Sequence, residues 1–285
     1  MGRNILMDNA YLGVHLKGNM KKLENGNLNK KSYIVPPVER AIRLLQYIGE
    51  GNKCRNLSKA SSHLSINRTT LIRLIYSLLD NRMIEQISED EGYCLGIGII
   101  SLGAQAIQSR DVVQMSLQSI QELVKKSNMS AHLGILDGTD VVYLTRETPK
   151  AHLISNMHIG SRLPAHASSI GRAIISDLSE VTVRNMYKNH EVGGATNKAP
   201  QNLQQILSQR KIDVNRGYVW SVGMIEPNIG SCAATIYNHE GVPIAGLNVS
   251  GPKDIFINEN SKQAIIIIEA VLNAARISSA AMGFS

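Results

Sequence analysis

The chain has 285 residues, 43% apolar and only 4% aromatic, with a formal charge of +7. That length suggests two ordinary domains, with cores built from Leu, Ile, Val and Ala. Three widely spaced cysteines exclude a disulfide framework and a CxxC metal site and fit a reducing cytoplasm, while the longest apolar run, near Ala264–Ile268, is too short to span a bilayer.

Residues 1–31 are polar and carry +4 of the charge, against +1 for 32–96 and +2 for 97–285. The segment reads as a flexible basic tail without a signal-peptide apolar stretch. Its charge favours an anionic partner near that end, although a tail that only aids solubility has the same composition. Pro36-Pro37 then opens a helix with Val38, Ala41, Ile42, Leu45 and Ile48 on its apolar face, and Gly51 suits its C-cap. Residues 57–79 read as a short helix, a turn and a second helix capped by Ser65 or Asn67. In that second helix Leu71, Leu74, Ile75, Leu78 and Leu79 form a buried stripe, and Thr69, Arg73, Tyr76 and Ser77 fall opposite. Arg and Thr can address base edges and phosphates, so this face suits a DNA major groove; a surface helix of any small bundle shows the same pattern. Met83–Ile87 and Tyr93–Leu95 read as strands around a turn whose tip, Glu89, Asp90 and Glu91, is acidic and a poor phosphate binder. Three helices and a two-stranded hairpin predict a winged helix-turn-helix over 32–96.

Residues 97–111 read as a linker, mostly the helix Ile97–Ser109. Asp111 caps a helix over Val112–Ser127 that opens a domain spanning 112–285. Strands His132–Leu136 and Val141–Thr145 meet across Asp137-Gly138. Leu153–Met157, Tyr218–Val222, Ala233–Tyr237 and Val242–Ser250 are further strands. Helices are predicted over Ser168–Leu178, Val181–Asn189, Leu203–Lys211 and Ser261–Ala280. Strands in hairpins with helices in separate blocks predict an α+β fold with an antiparallel sheet.

Several segments resemble the isocitrate lyase regulator (IclR) family. Val38-Glu39-Arg40-Ala41-Ile42-Arg43-Leu44-Leu45 is similar to its first helix, Arg68–Ile75 to its recognition helix and Gly92–Gly96 to its wing and exit. Leu136-Asp137-Gly138 with Val141–Leu144 resembles its first effector-domain hairpin. Gly160–Ala173, Arg216-Gly217-Tyr218 and Leu247–Pro252 complete the set, and the likeness runs from about residue 36 to the C-terminus. The resemblance implies a bacterial transcriptional regulator with an N-terminal winged helix-turn-helix and a C-terminal GAF/PAS-like effector domain. It further implies a cytoplasmic homodimer or dimer of dimers on a double-stranded DNA operator, a repressor of a catabolic operon answering to a small organic acid.

At the DNA end Arg73 is the candidate for base readout, since a guanidinium can bond a guanine edge bidentately. Thr69 and Thr70 lie near the helix start, where hydroxyls and N–H groups suit phosphates. Arg68 and Lys59 could clamp backbone, and Tyr76 shares the exposed face. Ile72 either meets a thymine methyl or packs on the domain. At the effector end the resemblance implies a pocket of Ser169, Ile170, Ser221, Ser231, Asn248 and Ser250, with Trp220, Met224 and Met157 as apolar walls. Asn248 and Ser250 flank Val249 and so share a strand face. Ser and Asn at strand ends also commonly satisfy local backbone groups. Family members often carry Asp-x-Glu-Glu where this chain has Ser221-Val222-Gly223-Met224; losing acids makes a pocket less repulsive to anions and less able to hold a cation. His166 reads as a structural loop histidine. Two rivals remain: a hydrolase using Cys232 or Ser231 with His166 or His239, and a sensor that binds ligand and protein but not DNA. No nucleophile elbow, zinc-binding, P-loop or dinucleotide motif occurs, so no catalytic residue, metal or cofactor is expected.

Overall fold

The computed structural model describes residues 34–88, 90–149, 157–193 and 195–285, so the expected basic tail, Glu89 and most of the expected strand over 153–157 lie outside the described residues. These residues fall into two units that divide between Ser109 and Arg110.

The first unit holds α1 (Pro36–Gly49), α2 (Leu57–Leu64), α3 (Arg68–Asp80), the hairpin β1 (Ile84–Ser88) and β2 (Gly92–Leu95), and α4 (Ile97–Gln108). Pro36 and Pro37 occupy the first turn of α1, where a missing N–H costs nothing. Of the two expected caps for α3, Asn67 serves: its Oδ1 accepts from the Thr70 N–H at 2.8 Å. Ser65 instead closes α2 in the left-handed conformation, φ 52°. Leu71, Ile75 and Leu78 of α3 join Leu44, Ile48, Leu64 and Ile84 in one core, with Leu74 and Leu79 half-buried at its edge. The buried face of α1 differs from expectation. It centres on Leu44 and Ile48, one turn apart, whereas Val38 and Ile42 are exposed. Gly92 has φ +84°, and a Cβ there would stand 1.9 Å from the Lys53 carbonyl oxygen. That oxygen accepts from the Tyr93 N–H at 2.8 Å, so the hairpin lies on the segment before α2. An Asn67→Ala substitution is expected to cost about 1 kcal/mol of stability by orphaning an α3 N–H, read as a shift in urea midpoint.

The second unit opens with α5 (Asp111–Ser127) and continues through β3 (Ser130–Asp137), β4 (Asp140–Glu147), β5 (Arg162–Pro164), α6 (Ser169–Asp177), α7 (Glu180–Tyr187) and α8 (Leu203–Arg216). It closes with β6 (Val219–Val222), β7 (Ile229–Tyr237), β8 (Pro243–Pro252), α9 (Lys253–Phe256) and α10 (Lys262–Ala281). The strands form one antiparallel sheet in the order β5-β4-β3-β8-β7-β6. One core joins Val141 and Tyr143 of the sheet to Ile170, Ile174, Val183 and Ile206 of α6, α7 and α8. α10 packs against β7, β8 and α5.

Two elements extend four or five residues beyond one end of their sequence patterns. α8 runs five residues past Lys211 because its last turns invert the usual pattern: Asp213 is buried while Ile212 and Val214 are exposed. β7 begins at Ile229 rather than Ala233; its first half holds Gly230, whose missing side chain makes room for the Phe256 ring, and Ser231. By length and composition α10 could cross a bilayer, against expectation, since Leu272 and Ile277 extend the run beyond Ala264–Ile268. In the fold its Ala264, Ile267, Val271, Ala274 and Ala275 are buried, as in the core helix of a globular domain.

Candidate functional site

In the first unit, α3 presents Arg68, Thr69, Arg73 and Tyr76 to solvent, with Thr70 and Ile72 half-buried. Tyr76 is 70% exposed, unusual for a large aromatic ring that could have packed on the domain. Lys59, in the first turn of α2, is also exposed. Among the described residues none of Lys59, Arg68 and Arg73 is held in a salt bridge, so these cations are available to an anionic partner. The hairpin tip is less repulsive than its sequence implies: Glu91 lies 3.8 Å from Lys53 Nζ, and Arg55 Nε donates to the Glu91 carbonyl.

In the second unit the sheet register assembles the other group. Ser221 pairs with Ser231, and Ser231 with Ser250, across β6, β7 and β8. His132 on β3 stands opposite Asn248 on β8. Directly opposed residues share a face, so one row of hydroxyls and one amide–imidazole pair point the same way. The amino end of α6 meets them. Its cap Ser168 accepts from the Gly171 N–H at 2.9 Å, and the Ser169 and Ile170 N–H groups have no partner among the described residues. Free N–H groups at a helix start favour an anion.

These groups surround a cavity of about 40 Å³ lined by Ser168, Ser169, Ser221, Ser231, Asn248 and Ser250 together with His132, Tyr143, Met157 and Met224. Space of that kind takes about three waters, the bulk of a two- or three-carbon acid. Five of the six residues expected in the pocket are therefore brought together. The sixth, Ile170, is not on the wall: its side chain is fully buried in the core below α6, and what it offers is its backbone N–H. Met157 and Met224 are apolar walls as expected. Trp220 is not, because on β6 it points away from Ser221; its Nε1 donates to the Phe256 carbonyl at 2.9 Å. Glu226 also lines the cavity, so one carboxylate remains near it despite the lost acidic run. A larger cavity, about 260 Å³, lies elsewhere, lined by Asp177, Thr235, Tyr237 and Arg276, and contains none of the expected residues.

Sequence reasoning missed His132, Tyr143 and Glu226. For His132 a signal existed: a polar residue alternating with Ala131 and Leu133 on a strand that is otherwise apolar. The Cys232 thiol is buried and pushed up by that burial, the opposite of an activated nucleophile. His166 is likewise buried, edge-on to Tyr187, and its pKa is lowered by desolvation.

Residues 104–280 match the protein family described as bacterial transcriptional regulator IclR, C-terminal. The chain belongs to the IclR family. It is 28% identical over 217 residues to the HTH-type transcriptional regulator XynR of Escherichia coli, covering 76% of this chain and 86% of XynR. It is 25% identical over 223 residues to the transcriptional repressor IclR of the same organism, covering 76% and 80%. An IclR homologue from Microbacterium hydrocarbonoxydans, solved with 4-hydroxybenzoate, superposes with a TM-score of 0.71 at 19% identity over 86% of this chain and 98% of that one, and so shares its fold. The IclR family is one of transcriptional regulators, not of enzymes, and this chain is a bacterial transcriptional regulator.

Proposed function

We propose that this IclR-family regulator is a cytoplasmic repressor of a catabolic operon, released from or recruited to its operator by a small organic acid. The observation that carries the effector half is the cavity itself: neutral donors from three strands and one helix start converge on a space the size of such an acid. Supporting this, the Microbacterium relative was solved with an aromatic hydroxy acid. The second unit is then a GAF/PAS-like effector domain.

The DNA half rests on α3. Three helices and a hairpin over residues 34–96 support reading this unit as a winged helix-turn-helix, and the exposed face of α3 suits the major groove. Lys59, Arg68, Thr69 and Thr70 would then meet phosphates while Arg73 reads a base and Tyr76 flanks it. A homodimer, or a dimer of dimers, is supported by α4, which buries none of its residues and exposes Ile97, Ile100 and Leu102. A second copy would cover that surface and set the spacing of two recognition helices.

Fluorescence anisotropy on the DNA upstream of the protein's own coding region tests the DNA half. Arg73→Ala is expected to cost about 1–3 kcal/mol and to flatten preference among operator variants, with Lys59→Ala as a control that weakens all sequences alike and lowers the salt slope by about one. Unchanged selectivity in the Arg73 variant would remove that residue from readout.

A further inference from the structure

Two buried polar atoms of the cavity wall have no hydrogen-bond partner among the described residues, His132 Nε2 and Ser250 Oγ. His132 is 1% exposed. Its Nδ1 lies 2.9 Å from Asn248 Oδ1, and Asn248 Nδ2 donates in turn to Ser169 Oγ at 3.0 Å. A carbonyl oxygen only accepts, so Nδ1 holds the ring proton, and a neutral imidazole then leaves Nε2 as a bare lone pair. Burial drives the His132 pKa down to about 4 against the raising effect of the Asn248 bond, and the Arg146 charge on β4 adds to the lowering. The ring is therefore neutral at physiological pH. Tyr143 packs edge-on against it with ring centroids 5.6 Å apart and helps fix its plane. Glu226 is the charged residue on the cavity wall itself.

An unpaired buried acceptor is costly, and a ligand that brings a donor recovers the loss. A bare carboxylate brings none; all its oxygens accept. The hydroxyls of Ser221, Ser231 and Ser250 and the N–H groups opening α6 can serve a carboxylate, but His132 Nε2 cannot.

We propose that His132 makes the effector site selective for a hydroxylated carboxylic acid, its Nε2 accepting the ligand hydroxyl while the serine row and the start of α6 hold the carboxylate. This deepens the effector reading above and rests on it. Two- and three-carbon 2-hydroxy acids are the smallest ligands that carry both groups, and so the first to test.

The test is isothermal titration of the full-length protein with glycolate and acetate, and with lactate, propionate and pyruvate, the last being mostly the free ketone in neutral water. A hydroxy acid should bind about tenfold or more tighter than its oxo and deoxy partners. In His132→Phe, which keeps an aromatic ring beside Tyr143, the ratio of hydroxy-acid to deoxy-acid affinity should fall to about one. Nitrogen NMR of the wild-type imidazole needs no variant to fold. It should show Nδ1 protonated and Nε2 bare, with the Nε2 signal moving on addition of the hydroxy acid and not of the deoxy acid. An Nε2–H tautomer, or equal affinity for hydroxy and oxo acids, overturns the role of His132 and leaves the cavity as an acid site. Failure of every acid to bind overturns the organic-acid reading as well.

Discussion

Replacing Asp213 with Ala should destabilise the 110–285 unit by about 3–5 kcal/mol, the largest effect expected of any single substitution discussed. Arg172 and Asp213 form a bidentate pair, Nε to Oδ2 at 2.9 Å and Nη2 to Oδ1 at 2.6 Å, with side chains 3% and 1% exposed. Gln209 Nε2 adds a third bond to Oδ1 at 3.1 Å. Removing the carboxylate leaves a guanidinium in the interior with no counter-charge, and that uncompensated charge is what makes the loss large. The pair itself need not contribute much net stability, since its desolvation offsets most of the attraction. Hence the double replacement Arg172→Met with Asp213→Leu should recover much of what Asp213→Ala loses. Urea unfolding of the three proteins decides it; a loss below about 1 kcal/mol for Asp213→Ala would contradict the buried-charge account. The pair also reaches the cavity, because Arg172 Nη1 lies 2.9 Å from the sulfur of Met224 on its wall.

Gly171→Ala should have the next largest effect, about 3 kcal/mol of stability, together with at least a tenfold loss of affinity for whichever acid the protein binds. A Cβ at Gly171 would stand 2.3 Å from the oxygen, 2.5 Å from the Cα and 2.7 Å from the carbonyl carbon of Ala165. All three are backbone atoms of the turn that delivers Ser168 and Ser169, so no side chain can swing aside. α6 must lift off that turn, carrying the Ser169 hydroxyl away from Asn248. Ser168→Ala separates the two causes: it removes the cap from the Gly171 N–H at about 1 kcal/mol but leaves the turn unobstructed. Wild-type melting and wild-type acid binding in the Gly171→Ala protein would mean that the turn and helix are not locked together.

What could be read in advance divides along physical lines. α3 was legible because a period of 3.6 survives in Leu71, Ile75 and Leu78 and because Asn67 marks its start. The hairpin of β3 and β4 was legible from Gly138, which has φ +63° in the turn. The serine row was reached only through family resemblance: alternation places Ser250 and Asn248 on one face, but nothing in a strand's own sequence says that Ser221 and Ser231 will stand in register with it. His132 left a signal as a polar residue in an apolar strand, but its meaning comes from the opposed Asn248, 116 residues away. The end of α8 was missed because a charge occupies its core position, and the partner that makes this tolerable, Arg172, lies on another helix. The face of α1 was misjudged because Val38 and Ile42 are as apolar as Leu44, and pattern alone does not tell an inward stripe from an outward one.

The row Ser221, Ser231 and Ser250 has a further consequence for how such a regulator can change. Each member is a small side chain on a neighbouring strand, fixed by backbone ladders that do not depend on its hydroxyl. Exchanging one for Ala, Cys, Thr or Val alters the outline or polarity of the chamber by an atom or two and leaves the strands where they are. The residues that would read the operator sit in a different unit, so such exchanges leave them untouched. If the proposed effector site is right, ligand preference is a set of three adjustable teeth, open to drift in nature and to stepwise retuning of the protein as a metabolite-responsive genetic switch.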